Sequence, residues 1–326
     1  MRIVSLVPSA TEILCLLGAG DRLVGRSHEC DFPSSVAGVP VLTAQRTSYA
    51  PGGSAEVDRE VRESLEAGEA LYTLNAELLA DLRPDLIITQ DLCSVCSIDL
   101  NSVRSVVDRI GAETGVEPRL LSLNPKGVED VLDDTLRVGE AIGEGERARA
   151  EVVKLRERLY RAQEHVNPYD EGPVVGFMEW TDPIFVAGHW TVQMIERAGG
   201  RHPLNETVAV KGSGAGAGMG QGQRLAGPSV RVPPEVFCAV KPEALIVCPC
   251  GLTLDEASRE TERLALEDWW EALPAVKNGR VAIVDGNQMF NRPGPRLVDA
   301  FEWLVGWLQD RPGLIPERFP WQRGIG

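Results

Sequence analysis

Five cysteines in short polar segments are the residues of this chain best suited to chemistry. They form a Cys-x-x-Cys pair, a Cys-x-Cys pair and one upstream cysteine: Cys93, Cys96, Cys248, Cys250 and Cys30. Thiolates suit zinc, copper(I) or an iron–sulfur cluster, and Cys-x-x-Cys spacing lets two sulfurs reach one metal. Because the second pair is Cys-x-Cys, the pattern is not that of a standard zinc ribbon. These five cysteines are therefore predicted as a metal or redox site.

An alternative is that the same cysteines are small buried residues or form an opportunistic disulfide, since free cysteine is among the most buried residue types. The chain has 7 cysteines, an odd number, and their tight pairing argues against a disulfide framework. Cys15 and Cys238 fall in predicted helices and are expected in the core.

Aromatic and polar side chains in other predicted loops are candidates for contact with a ligand. An aromatic and acidic group is formed by Glu179, Trp180, His189 and Trp190. Aromatic walls around a few polar groups are typical of small-molecule sites, although the tryptophans would equally brace the loop. The other predicted ligand contacts are His28, Glu29, Asp91, Asn287, Phe290 and Arg292. His165, His202 and Arg296 are expected at the surface.

The elements that position these residues repeat one local design. Residues 76–96 and 234–250 each contain a helix, a basic-Pro-acidic triplet, an apolar strand and a cysteine pair. The apolar runs at 86–89 and 244–247 lack polar alternation, which is typical of parallel strands covered on both faces by helices. Ligands of such sheets bind beyond the carboxyl ends of the strands, where both cysteine pairs fall.

Composition sets the class of the molecule. The chain has 326 residues, 43% of them hydrophobic and 25% charged, enough for two cores. Its net charge of −15 argues against a nucleic-acid partner. No apolar stretch has the length of a membrane helix, and the N-terminus lacks a signal-peptide pattern, so a cytoplasmic location without membrane insertion is expected.

Strand and helix signals alternate along the chain, which predicts an α/β fold of two Rossmann-like lobes with parallel sheets. Residues 144–166 are rich in helix formers and predict one long rigid helix. The predicted domains are an N-terminal lobe (1–143), this linker helix (144–166) and a C-terminal lobe (167–326).

Two segments stand outside this alternation. Residues 43–75 lack a clear core periodicity and predict an insertion with one amphipathic helix near 57–66. The glycine-rich stretch 212–222 lacks the ending of a phosphate loop and is predicted as a flexible lid or loop. Ser9 and Glu12 have the spacing of a capping box, which predicts a helix from about residue 10.

Several motifs carry a resemblance to a known family. They are RIVSLVPSATEILCLLGAGDRLVG (2–25), LRPDLIIT (82–89), FVAG (185–188), KPEALIV (241–247) and NRPGPR (291–296). With the long linker helix, they resemble the helical-backbone (class III) substrate-binding proteins of ABC importers for vitamin B12, ferric siderophores and haem. Within that family the chain looks most like the vitamin B12-binding branch and its signal-less, cobalamin-binding-like relatives.

The resemblance implies a non-enzymatic binding protein that holds cobalamin, another corrinoid or a similar large metal-containing ligand in a cleft between the lobes. It also implies ABC-importer membrane subunits as partners and a periplasmic location for the relatives. The second hypothesis is a cytoplasmic metalloprotein or redox enzyme that uses the cysteines to bind zinc or an iron–sulfur cluster. No serine, histidine and acid set indicates a hydrolase.

Overall fold

The computed structural model describes residues 1–46, 52–91, 100–115, 117–210 and 224–324. These residues form two compact units. Described residues of the first unit come from Met1–Ala50, Val57–Pro125 and Glu129–Leu155. Those of the second come from Pro51–Glu56, Lys126–Val128 and Arg156–Gly326.

The first unit is built on a parallel sheet. In chain order, its strands and those of a small hairpin are β1 (Ile3–Ser5), β2 (Leu23–Arg26), β3 (Thr43–Gln45), β4 (Tyr72–Leu74), β5 (Leu86–Thr89) and β6 (Arg119–Ser122). The parallel sheet has the order β2-β1-β5-β6, and β3 pairs with β4 in an antiparallel hairpin.

Helices cover both faces of this sheet. They are α1 (Pro8–Leu16), α3 (Ala76–Asp81), α4 (Leu100–Thr114) and α5 (Val128–Ile142). A further helix, α2 (Ser54–Glu66), precedes β4, and Ser54 is its buried residue. Alternate strand residues enter different cores: Leu86 and Ile88 pack in one apolar cluster, and Ile87 packs in another. Burial on both faces explains why this strand has no polar alternation.

The second unit contains a mixed sheet. The strands of the second unit are β7 (Val175–Trp180), β8 (Phe185–Val186), β9 (Val208–Ala209), β10 (Arg224–Leu225), β11 (Val230–Arg231), β12 (Ala244–Val247), β13 (Val281–Val284) and β14 (Trp321–Arg323). The mixed sheet has the order β11-β8-β7-β12-β13-β14, and β9 and β10 form a separate two-stranded sheet. Strands β7, β12 and β13 are parallel, whereas β8, β11 and β14 each pair antiparallel with a neighbour. The α/β fold of two parallel-sheet lobes is confirmed, with antiparallel strands added at the edges of the second sheet.

The remaining helices are α6 (Gly145–Gln163), α7 (His189–Arg197), α8 (Pro234–Ala239), α9 (Leu254–Leu264), α10 (Pro274–Lys277) and α11 (Leu297–Leu308). Helix α6 is the predicted linker and is unbroken over 19 residues. The change from the first unit to the second falls within it, after Leu155.

The two repeat units adopt the same backbone arrangement. Arg83 and Lys241 both have positive φ, 43° and 49°, which ends the preceding helix in the left-handed region. The acidic residue two positions later, Asp85 or Glu243, donates its backbone N–H to the carbonyl of Arg2 or Val174 at 2.8 Å. In turn, the Asp85 carboxylate accepts from the backbone N–H of Arg2, and the Glu243 carboxylate accepts from that of Val174. The basic-Pro-acidic triplet therefore aligns each strand with its parallel neighbour.

The capping box predicted at the start of the first helix was wrong. Helix α1 begins at Pro8 after Val7, and no side chain caps it. Ser9 and Glu12 are buried on the helix, so they do not form the predicted capping box. In the segment 43–75, the predicted amphipathic helix is α2, and the strands β3 and β4, which were not predicted, form an antiparallel hairpin. The glycine-rich stretch 212–222 lies outside the described residues.

Candidate functional site

In the second unit, most of the predicted site residues lie where parallel strands end, whereas His189 and Trp190 follow the antiparallel strand β8. Strands β7, β12 and β13 run in one direction, so the loops that follow them meet at one edge of the sheet. Backbone hydrogen bonds join these loops: Cys250 N–H donates to Glu179 O at 2.9 Å, and Gly251 N–H to Gly286 O at 3.2 Å. A Cβ at position 286 would overlap Pro249 O, so this close approach requires glycine.

Asn291 fastens the loop after β13 to the loop after β12. Its Nδ2 donates to Gly286 O at 2.8 Å and to Cys248 O at 3.3 Å, and it lies 3.8 Å from Cys248 Sγ. The Cys248 thiol is buried and donates weakly to Met289 O at 3.7 Å. Its surroundings make Cys248 a packed, neutral thiol.

Burial raises the pKa of the Cys248 thiol well above its ordinary value, and the charges of Glu179 and Asp285 raise it further. A metal site needs thiolates, so this environment disfavours Cys248 as a ligand. Cys250, two residues on, is exposed.

The predicted metal site finds no support in the described part of the chain. Among the residues that the structure describes, no three His, Cys, Asp or Glu side chains are grouped to hold a metal ion. Cys93 and Cys96 lie outside the described residues, and their role stays a prediction. Cys30 is buried in the first unit, with its sulfur 3.0 Å from Thr11 Oγ1.

Glu179 and Trp180 end strand β7, and both are half-buried. The Glu179 carboxylate accepts from Gly188 N at 3.1 Å and from the hydroxyl of Ser229. It thereby ties β7 to the start of α7 and to the segment before β11. The Trp180 indole N–H donates to Ser54 O at 3.2 Å.

His189 and Trp190 open helix α7. Their rings stack with centroids 5.5 Å apart, and Trp190 Nε1 donates to Phe290 O at 2.6 Å. His189 and Phe290 both have positive φ, 48° and 60°, a costly conformation for side-chain-bearing residues that is found at functional sites. Trp190 is buried and His189 half-buried, so His189 is the ring of this pair that is open to a ligand.

The His189 imidazole is suited to coordinate a metal carried by a ligand. Burial lowers its pKa, and the charge of Lys126 lowers it further. The ring is therefore neutral near pH 7 and has a lone pair available for a metal or a hydrogen-bond donor.

The loop after β13 supplies the other predicted contacts. Phe290 is 1% exposed and packs against Phe177 and Trp303, so its side chain belongs to the core. Arg292 is buried and donates to Asn287 Oδ1 at 3.0 Å. Burial raises the pKa of nearby Asp285, whereas backbone N–H donors and the Arg292 charge oppose that rise.

The first-unit candidates also follow parallel strands. His28 lies just after β2, and Asp91 just after β5. His28 Nδ1 is 2.7 Å from Thr43 Oγ1, and burial lowers the pKa of this imidazole against an opposing hydrogen bond from Gln45. Glu29 is half-buried beside it. Asp91 is exposed, and its backbone N–H donates to Asn124 Oδ1 at 2.7 Å.

Several residues differ from their expected environments. His202 was expected at the surface but is 2% exposed, because its Nδ1 donates to Val175 O at 2.9 Å inside the second unit. Arg296 is half-buried and donates to Gln288 Oε1 at 2.8 Å. Cys15 and Cys238 are half-buried rather than fully in the core. His165 is exposed as predicted.

Sequence reasoning missed a buried polar group beside Trp180. Glu260 on α9 lies within hydrogen-bond distance of the hydroxyls of Ser54 and Thr181. Ser54 and Glu260 are 206 positions apart in the sequence. Only the three-dimensional arrangement brings them together.

The sequence of the chain matches a known protein family over most of its length. A family model described as periplasmic binding protein matches residues 3–287, most of the chain. The chain belongs to the periplasmic binding protein family. That family assignment accounts for the paired α/β units and the repeated strand-end loops.

Among curated proteins, this periplasmic binding protein is similar to the "Uncharacterized ABC transporter substrate-binding lipoprotein YvrC" of Bacillus subtilis (strain 168). The two are 25% identical over 308 residues, covering 93% of this chain and 78% of the relative.

Solved structures share the fold. One is the periplasmic heme-binding protein RhuT from Roseiflexus sp. RS-1, with a TM-score of 0.65 and 21% identity over 95% of this chain and 98% of that one. Another is the periplasmic vitamin B12 binding protein BtuF of Vibrio cholerae, with a TM-score of 0.61 and 20% identity over 95% and 97% of the two chains. Identities this low establish the shared fold only.

Within the described residues of this family member, no helix is both long and apolar enough to cross a membrane. The cytoplasmic location stays a prediction, and the curated relative is a lipoprotein.

Proposed function

We propose that this chain is the substrate-binding protein of an ABC importer and that it holds a corrinoid or a similar large metal-containing ligand, such as haem. The observation that carries the proposal is the half-buried Trp180 ring at the carboxyl end of β7, together with the half-buried, neutral His189 ring at the start of α7. An indole offers a large apolar face, and a neutral imidazole offers a ligand for iron or cobalt.

Family membership supports this proposal. The curated relative is named as an ABC transporter substrate-binding protein, and solved structures of the same fold are named as heme-binding and vitamin B12-binding. The transporter's membrane subunits are the proposed partners. Cobalamin is the ligand that the sequence resemblance favours.

Trp180 provides a test that separates ligand contact from packing. Trp180→Ala removes an aromatic face and is expected to weaken binding of cyanocobalamin or haemin by more than about 1 kcal/mol, roughly fivefold or more in Kd. Trp180→Phe keeps an aromatic face but loses the indole N–H, so it is expected to weaken binding less than Trp180→Ala does. Binding is measured by calorimetry and by absorbance of the bound ligand.

Trp190 is unsuitable for this test, because it is buried and its substitution would disturb the loop after β13. Equal affinity of wild type and Trp180→Ala for the bound ligand would contradict a role for Trp180 in the site.

A further inference from the structure

A short piece of the 43–75 region belongs to the second unit. Residues 52–56 cluster there, although the following residues of helix α2 cluster with the first unit. Ser54, the first residue of α2, is 1% exposed. We refer to residues 52–54 as the docking segment.

A buried carboxylate holds the docking segment. Glu260 is 2% exposed, and its Oε2 lies 2.5 Å from Ser54 Oγ and 2.7 Å from Thr181 Oγ1. The other carboxylate oxygen, Oε1, accepts from Arg263 Nη1 at 2.5 Å. Because a buried carboxylate is costly unless hydrogen-bonded and paired with a charge, these contacts fix one geometry.

The backbone of the docking segment fits closely against α9. Gly53 has φ +78°, and a Cβ there would overlap the guanidinium of Arg263. The left-handed backbone favours glycine here, and any larger residue would also have to displace the Arg263 guanidinium from its place beside Glu260.

The docking segment in turn holds Trp180. The indole N–H donates to Ser54 O at 3.2 Å, and Thr181, the next residue along the chain, shares Glu260 with Ser54. Trp180 is thus oriented from one side by its own strand and from the other by a segment distant in sequence.

We infer that the docking segment is a positioning element of the ligand site, in which Glu260 fixes Ser54 and Ser54 fixes the indole of Trp180. The inference rests on the proposed function for the identity of the site. Hydrogen bonds are directional, so this network sets the plane of the indole, which a purely apolar contact would leave less defined. Affinity for a large ligand then depends on residues 52–54, which need not touch it.

The test compares two buried threonines in the same unit. Thr181→Val removes the hydroxyl that donates to Glu260 and keeps the side-chain shape, whereas Thr181→Ser keeps a hydroxyl. Thr207→Val is the matched control, because Thr207 is 1% exposed and its Oγ1 donates to Glu196 at 2.5 Å, away from Trp180. Melting temperatures of all variants establish that each is folded.

The first readout needs no ligand. Exchange of the Trp180 indole N–H with solvent is followed by NMR of protein labelled with 15N at tryptophan, and its signal is identified by its loss in Trp180→Phe. Thr181→Val is expected to speed this exchange about 10-fold, while Thr181→Ser and Thr207→Val stay within about twofold of wild type.

The second readout is affinity for whichever of cyanocobalamin and haemin the wild type binds. Thr181→Val is expected to weaken it about fivefold, and Thr207→Val is expected to leave it unchanged. Unchanged indole exchange in Thr181→Val, or equal effects of Thr181→Val and Thr207→Val, would overturn the inference. If the wild type binds neither probe, the proposed function fails, and the exchange readout still decides whether the docking segment positions Trp180.

Discussion

At the scale of single residues, burial decides which titratable groups are charged. Burial lowers the pKa of His189 and His202 and raises that of the Cys248 thiol. Each group is thereby held neutral. A neutral imidazole is useful for ligand binding, whereas a neutral thiol is a poor metal ligand.

Asp134 on helix α5 is the residue for which this effect has the clearest consequence for stability. It is 3% exposed, and burial raises its pKa from 3.8 to about 6 despite its contact with Arg137. Its Oδ2 has no hydrogen-bond partner within the described part of the chain. The folded protein therefore binds a proton here more tightly than the unfolded chain does.

A carboxyl with a raised pKa in the folded state stabilises the fold at low pH, and that stability is lost as pH rises from about 4 to about 6. The loss at this site is on the order of 3 kcal/mol. Asp134→Asn removes this titration, so the variant is expected to gain about 1 to 3 kcal/mol on wild type between pH 4 and pH 7. Urea unfolding at several pH values measures the difference, and parallel pH curves for the two proteins would refute it.

At the scale of elements, a helix or strand is predicted well when the interactions that determine it lie within its own stretch of sequence. The bounds of β5 and β12 agree with the apolar runs in the sequence, and α6 fills most of its predicted range, because apolar runs and helix formers act within each element. The predicted capping box at Ser9 and Glu12 does not form, because the helix already begins at Pro8 and Ser9 is buried within its first turn. The positive φ shared by Arg83 and Lys241 has no sequence signal beyond the repeat itself.

Helix α9 carries Glu260, and it begins with a capping box that the structure contains. Thr253 Oγ1 accepts from Glu256 N, and Glu256 Oε2 accepts from Thr253 N at 2.9 Å. Thr253→Ala is expected to lower the free energy of unfolding by about 1 kcal/mol, because backbone donors lose their acceptor.

The matched control for that change is Glu262→Ala, an exposed position in the last turn of the same helix. It is expected to change stability by less than about 0.5 kcal/mol. Equal unfolding free energies for wild type and Thr253→Ala would show that the capping box does not stabilise α9.

At the scale of the whole molecule, the alternation of strands and helices was enough to predict the α/β class, and most of the candidate site residues follow the carboxyl ends of parallel strands. The side-chain partners of these residues were not predictable. In the sequence, Trp190 and Phe290 are aromatic candidates of the same kind as Trp180. In the structure both are buried, and the Trp190 indole N–H donates to the Phe290 carbonyl. The contact of Ser54 with Glu260 spans 206 positions, a separation at which local patterns carry no information.

In the proposed importer function, the loops at the strand ends would hold the ligand. The two repeat units would align the strands that carry those loops. His189 is then expected to coordinate the ligand's metal. Because its pKa lies below 6.5, coordination should persist as pH falls to about 6.5 and be lost only at lower pH.

The most direct test is an equilibrium titration of the folded protein with cyanocobalamin and with haemin, followed by calorimetry and absorbance at pH 7 and at pH 5. We expect saturable binding of at least one ligand, with Kd of about 10 μM or tighter. With haemin, whose iron has an axial position open to an imidazole, we also expect a coordination spectrum that is lost in His189→Ala and kept in His165→Ala, whose histidine is exposed. Absence of saturable binding by either ligand to the folded protein would contradict the proposed function.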